Sequence, residues 1–239
     1  MADLDFYFDP ICPFAWMTSK WVRLVADQRS YEVAWRFISL RMVNAEVDYA
    51  AEFPAGYERS HTAGLELLRV AAAARAAHGP RAVGPLYAAY GTELFDSAPG
   101  RQEDLERDAA GFAAPILRRL GLPVELADAV SDTSFDPEIR AETDRALSLT
   151  GRDVGTPILH FDPPRGTALF GPVISRLPRP PEALALWEHV VALARFGGFA
   201  ELKRSLRETP QLAAFGLEEG RAGIEEDWQQ GHRRDAARP

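Results

Sequence analysis

Leu4-Asp5-Phe6-Tyr7-Phe8-Asp9-Pro10-Ile11-Cys12-Pro13-Phe14-Ala15-Trp16 is the stretch on which the fold turns. Residues 4 to 8 are rich in aromatic side chains and run into Asp9-Pro10, a turn signal, so they read as a short strand. Pro13 suits the first turn of a helix, where its missing N–H had no partner in any case. Beyond it Met17, Trp21, Leu24 and Val25 fall on one helical face, which predicts a helix from Phe14 to about Val25. Tyr31 to Leu40 alternates strongly and predicts a second strand. A strand, a helix and a strand in so short a span predict a βαβ unit with a parallel pair.

From about Pro54 to Thr150 the texture changes to Ala, Leu, Arg and Glu at helical spacing. Breaks near Gly79-Pro80, Pro99-Gly100, Gly121-Leu122-Pro123 and Asp136-Pro137 divide it into roughly four or five helices with no strand. Strand character returns at Pro157 to Phe161, and a turn at Asp162 to Gly166 leads into Thr167 to Phe170, a hairpin pattern. A helix from about Pro181 to Phe196 follows, and the weakly periodic residues after about Thr209 read as a mobile tail. The predicted order is βαβ, a helical insertion, then ββα, an α/β fold. Residues 1–53 and 152–207 form two parts of one sheet domain, 54–151 the insertion and 208–239 the tail.

The chain has 239 residues and a net charge of −8, so a basic surface for nucleic acid or anionic lipid is not expected. No apolar run reaches the roughly 18 to 20 residues of a membrane span. The acidic start, Met1-Ala2-Asp3-Leu4-Asp5, does not resemble a secretory signal, and a cytoplasmic protein is the expectation. One cysteine excludes an intramolecular disulfide and a cysteine-rich zinc site, and the histidines show no ligand spacing, so no metal is expected. With neither a phosphate-binding glycine-lysine loop nor a dinucleotide fingerprint, no tightly bound cofactor is expected. Arginine dominates the basic residues, Lys20 and Lys203 being the lysines, which suits a GC-rich genome.

Cys12 follows the first strand and opens the first helix. Unpaired amides and aligned peptide dipoles favour an anion there, which predicts a thiol pKa below the free value of ~8.5 and a nucleophilic thiolate. A free cysteine is otherwise most often a small buried hydrophobe. Val154-Gly155-Thr156-Pro157 precedes the returning strand. X-Pro bonds alone have an appreciable cis population, and a cis Pro157 leaves the Thr156 backbone free to pair with an extended thiol ligand. Phe14 and Trp16 flank the thiol and are candidate walls of an apolar pocket, against ordinary core packing. Asp9 is expected to cap its turn through backbone amides, and one of His160 and Phe161 to face away from the core.

Cys12-Pro13-Phe14, the helical insertion and Gly155-Thr156-Pro157 before a hairpin together resemble the DsbA-like branch of the thioredoxin superfamily, over about residues 3 to 205. Within it the chain is similar to the actinobacterial mycothiol-dependent nitroreductase and disulfide-reductase-like proteins, through Asp5-Phe6-Tyr7-Phe8-Asp9-Pro10, Trp16-Met17-Thr18-Ser19, Asp153 to Pro157 and Phe170-Gly171-Pro172-Val173. The resemblance implies a thioredoxin-like fold and a cis Pro157. It also implies catalysis at Cys12, with Pro13, Thr156 and Pro157 holding the thiol partner and Asn44 and Tyr57 as pocket candidates. It implies mycothiol or another low-molecular-weight thiol as cosubstrate and a disulfide or apolar electrophile as substrate, and leaves monomer against homodimer open. Where the family usually carries a second cysteine this chain has Ala15, so an outside thiol must release any mixed disulfide. Two alternatives stand beside this monothiol oxidoreductase: a kappa-type glutathione transferase or isomerase, which would carry serine at the position of Cys12, and a redox sensor without turnover.

Overall fold

The computed structural model describes residues 2–204, 206–217 and 225–227. Strand β1 (Leu4–Phe8) leads into α1 (Pro13–Gln28), which returns to β2 (Val33–Phe37). β1 and β2 pair in parallel, with Phe6 opposite Trp35. The second strand is shorter than its alternation predicts, because Ser39 ends it. Its hydroxyl accepts the Met42 amide and caps a short helix, α2 (Leu40–Val43). The helical excursion continues through α3 (Tyr49–Glu52), α4 (Tyr57–His78), α5 (Val83–Gly91), α6 (Arg101–Arg107), α7 (Ala109–Arg119) and α8 (Asp136–Thr150). Strands β3 (Ile158–Phe161) and β4 (Ala168–Phe170) then form the predicted hairpin, and α9 (Pro180–Arg195) follows. The sheet order is β2-β1-β3-β4, with β3 antiparallel to β1.

Both sheet faces are covered, which explains why every residue of β1 is buried. Leu4, Phe6 and Phe8 pack on the side of α1, where Phe8 stacks on Tyr87 of α5 with ring centroids 3.8 Å apart. On the same side Trp21 of α1 meets Trp187 of α9 edge-on and donates its indole N–H to the Ala183 carbonyl at 2.9 Å. Tyr7, Ile38 and Ile158 face the other way, onto Ala146 and Leu147 of α8. Glu142 of α8 locks this second layer by accepting the Phe37 amide at 2.7 Å and pairing with Arg75 of α4 at 2.9 Å. That two-sided cover overturns the expectation for His160. With Phe161 on the α1 side and His160 on the α8 side, both are buried, so neither faces away from the core. Burial lowers its pKa against the pull of Asp5, 3.8 Å away, and of the Gly166 carbonyl.

The expected tail has structure in its described part. Leu212 is buried in the main core, the Gln211 amide donates to the Ser175 carbonyl at 2.7 Å, and Leu206–Glu208 (β5) pairs with Glu225–Asp227 (β6). An apolar side chain with a slot to fill holds this stretch on the body, and the remainder of the tail lies outside the described residues. Among the described residues no helix is long and apolar enough to cross a membrane.

Candidate active site

Cys12 is the N-cap of α1, with Pro13 at the first helical position. Its extended backbone (φ −85°, ψ 111°) turns the side chain back over the helix start, where Sγ accepts the Ala15 amide at 3.4 Å. The same sulfur, as a thiol, donates to the Thr156 carbonyl oxygen at 3.4 Å, across 144 positions of sequence. The Thr156–Pro157 bond is cis. Thr156 is itself held by its hydroxyl, which donates to the Tyr7 carbonyl at 3.1 Å. Sheet and helix thus place sulfur and loop from opposite ends of the chain.

A second cis bond, Gly171–Pro172, braces the same corner. Gly171 there has φ +86°, a conformation that costs glycine nothing. Its amide donates to the Pro157 carbonyl at 2.8 Å, and the Pro172 carbonyl accepts the Thr18 hydroxyl at 2.8 Å. The segment Phe170 to Val173 is therefore part of the frame around Pro157 and α1.

The thiol is more enclosed than its place at a helix start suggests. Cys12 is 8% exposed, and burial pushes its thiol up to about 12. The Ala15 amide pulls the other way, the Asp9 carboxylate adds to the rise and the Phe14 amide opposes it. This corrects the expected lowered pKa, and magnitudes show why. Interaction with a helix terminus is worth typically ~0.3–1 kcal/mol, less than one pK unit, whereas full burial moves a pKa by up to ~3–5 units. The resting sulfur is a thiol.

Asp9 caps its turn as expected, accepting the Ile11 amide at 3.1 Å on one oxygen and the Leu40 amide at 2.7 Å on the other. It is wholly buried, and burial pushes its carboxyl up to about 7 although both amides pull it down. Gly64 of α4 lies directly above. A Cβ there would come within 2.5 Å of Asp9 Oδ1, so glycine is what lets α4 close over the loop.

The pocket candidates are placed differently from one another. Phe14 is buried beside the thiol, and its amide acts on Cys12. Trp16 is only 3% exposed, and it serves as a docking residue of the helical insertion: its ring lies on the Gly91 backbone, and its indole N–H donates to Asp96 at 3.2 Å. Asn44 ends α2 and spends its side-chain amide on the Leu40 carbonyl at 2.8 Å. Tyr57 opens α4, is 45% exposed and stacks on Phe53. Among the described residues no cluster of histidine, cysteine and carboxylate side chains suits a metal ion. Sequence reasoning missed Asp96 as the acceptor of the Trp16 indole and Gly64 as the seat of Asp9, contacts that exist only once the insertion has folded back.

Comparison with known proteins shows the family and the fold. A protein of Mycobacterium tuberculosis described as uncharacterized protein Rv2286c is 34% identical over 205 residues, 85% of this chain and 82% of its own. A putative protein disulfide isomerase of Nitrosomonas europaea superposes with a TM-score of 0.50 at 16% identity, covering 79% of this chain and 96% of its own, which supports the DsbA-like thioredoxin fold. The cytosolic disulfide reductase DsbM of Pseudomonas aeruginosa gives 0.48 at 17% identity over 80% and 99% of the two chains. Residues 11–204, which run from the cysteine turn through the insertion and hairpin to beyond α9, match the model described as Rv2466c-like, mycothiol-dependent nitroreductase Rv2466c, and the chain belongs to that family.

Proposed function

We propose that the protein is a monothiol oxidoreductase in which Cys12 exchanges with a low-molecular-weight thiol, mycothiol by family, to reduce a disulfide or an apolar nitro-type electrophile. The supporting observation is the 3.4 Å approach of Cys12 Sγ to the Thr156 carbonyl beside cis Pro157. A thiol chain entering here replaces the Cys12 S–H as partner of the Thr156 backbone. The deprotonated sulfur attacks a disulfide RSSR, forming Cys12–S–S–R and releasing RS⁻. A second thiolate then attacks the R sulfur, restoring Cys12 and giving a new small disulfide. The net of these two steps is RSSR + R′S⁻ → RS⁻ + RSSR′, and attack of a further R′S⁻ on RSSR′ completes the reduction, two outside thiols ending as R′SSR′ for each RSSR taken to two RS⁻. With Ala15 in place of a second cysteine, release depends on the outside thiol. In this reading Pro13, Thr156 and Pro157 hold the thiol partner, Phe14, Asn44 and Tyr57 are pocket residues, and the protein works in the cytoplasm on small molecules.

Incubation with oxidised mycothiol or glutathione, followed by intact mass, tests the first step: one thiol mass should appear on the wild type and none on Cys12→Ser. Absence of the adduct on the wild type overturns the reading. Ala15 in place of a resolving cysteine also suits a second one, a sensor that records oxidation as a single mixed disulfide. Repeated turnover of an electrophile with excess thiol excludes the sensor, and a single stoichiometric adduct with no turnover selects it.

A further inference from the structure

We propose that Asp96 is a positioning residue for Cys12, acting through Trp16: the widened helical turn Thr92–Asp96 clamps the first turn of α1 onto the insertion and holds the thiol in its closed position. This rests on the reading of Cys12 as the exchanging thiol.

The turn that continues α5 is π-helical over Thr92–Asp96. An extra residue in a helical turn carries the side chains after it about 100° around the axis. Here that shift ends on Asp96, whose two carboxylate oxygens both reach α1. Oδ2 accepts the Trp16 indole N–H at 3.2 Å and Oδ1 pairs with Lys20 Nζ at 2.8 Å. Trp16 and Lys20 lie one helical turn apart on the same face, and Nζ stands 5.5 Å from the Trp16 ring centroid. Gly91 completes the seat. A Cβ at that position would fall 2.1 Å from the Trp16 ring, so the indole lies flat against the α5 backbone.

The clamped turn is the one that organises the cysteine. The Ala15 amide donates to Cys12 Sγ at 3.4 Å and the Trp16 amide to the Cys12 carbonyl at 3.0 Å. Releasing Trp16 leaves a nearly buried N–H without its acceptor and frees this turn to move from the insertion. Water then reaches the sulfur, and the burial that keeps it protonated is relieved.

The test is the pH profile of Cys12 alkylation by iodoacetamide, read by intact mass on the full chain. Asp96→Ala should react about fivefold or more faster near pH 8, with a midpoint about one pH unit lower than wild type. Asp96→Asn keeps a carbonyl for the indole and should lie between the two. Glu93 is the control, because it belongs to the same turn but pairs with Arg101 at 2.8 Å and Arg119 at 3.5 Å. Glu93→Ala should lower Tm and leave the midpoint where it is, which separates positioning from plain destabilisation. A folded Asp96→Ala with the wild-type midpoint overturns the inference, as does an equal shift in Glu93→Ala. Should Asp96→Ala not fold, Lys20→Ala removes half the clamp and must move the midpoint in the same direction. If the wild type accepts no small thiol, the reading beneath fails; if it does and these profiles coincide, the clamp alone fails.

Discussion

The sulfur of Cys12 and the carbonyl oxygen of Thr156 meet at 3.4 Å, joining the start of α1 to the loop before β3. With its pKa pushed to about 12 by burial, the native thiol should alkylate very slowly near neutral pH and speed up only in strongly alkaline solution. Unfolding in urea should bring the profile back toward the free thiol value of ~8.5. A native midpoint at or below the unfolded one contradicts this account of the enclosed sulfur.

Asp9 makes stability depend on pH in a defined direction. Its carboxyl is raised from 3.8 to about 7, so the folded protein retains a proton that the unfolded chain gives up. The resulting stabilisation is complete below pH 3.8 and lost as pH rises through 7. Asp9→Asn has no such proton but loses one acceptor, leaving the Leu40 amide unpaired at a cost of ~1–3 kcal/mol. The variant should therefore be less stable near pH 4.5, and the gap should narrow toward pH 8. Urea midpoints at both pH values decide it, and a gap that widens with pH excludes the assignment.

Gly64→Ala tests how closely α4 sits on the cysteine turn. Alanine ordinarily gains ~1 kcal/mol over glycine inside a helix. Here the added Cβ meets Asp9 Oδ1 at 2.5 Å and Ile11 Cγ1 at 2.8 Å. Overpacking of this kind costs ~1–3 kcal/mol, so net destabilisation is expected in chemical denaturation. A more stable variant rules the contact out.

The order of strands and helices was legible because its signals are local: aromatic runs, proline at a helix start, glycine and proline at breaks. The cysteine was legible for the same reason, since strand end, Cys12 and Pro13 are contiguous. Its ionisation was not. The helix terminus is visible in the sequence, but the desolvation that outweighs it comes from the folded surroundings, which no local pattern announces. Asp96 lies 80 positions from Trp16, and nothing about its neighbours marks it as that indole's acceptor. His160 was misplaced because alternation says which side chains point apart, not whether α8 covers the second face.

Ala15→Cys asks whether the first turn of α1 can do its own resolving. Ala15 is fully buried, so the added sulfur carries an overpacking cost of ~1–3 kcal/mol. The mixed disulfide formed by this variant should decay without added thiol to an internal disulfide, a chain lighter by two hydrogens. Persistence of the adduct in the variant, as in the wild type, would show that the turn holds the two sulfurs apart.

Burial pushes the Cys12 thiol well above the free value, so little of it is ionised at neutral pH. Peroxides attack the ionised form, and a cysteine without a neighbouring thiol has no internal rescue from stepwise conversion to sulfinic and sulfonic acid. The burial that keeps the sulfur protonated therefore spares this chain's single cysteine from irreversible oxidative damage.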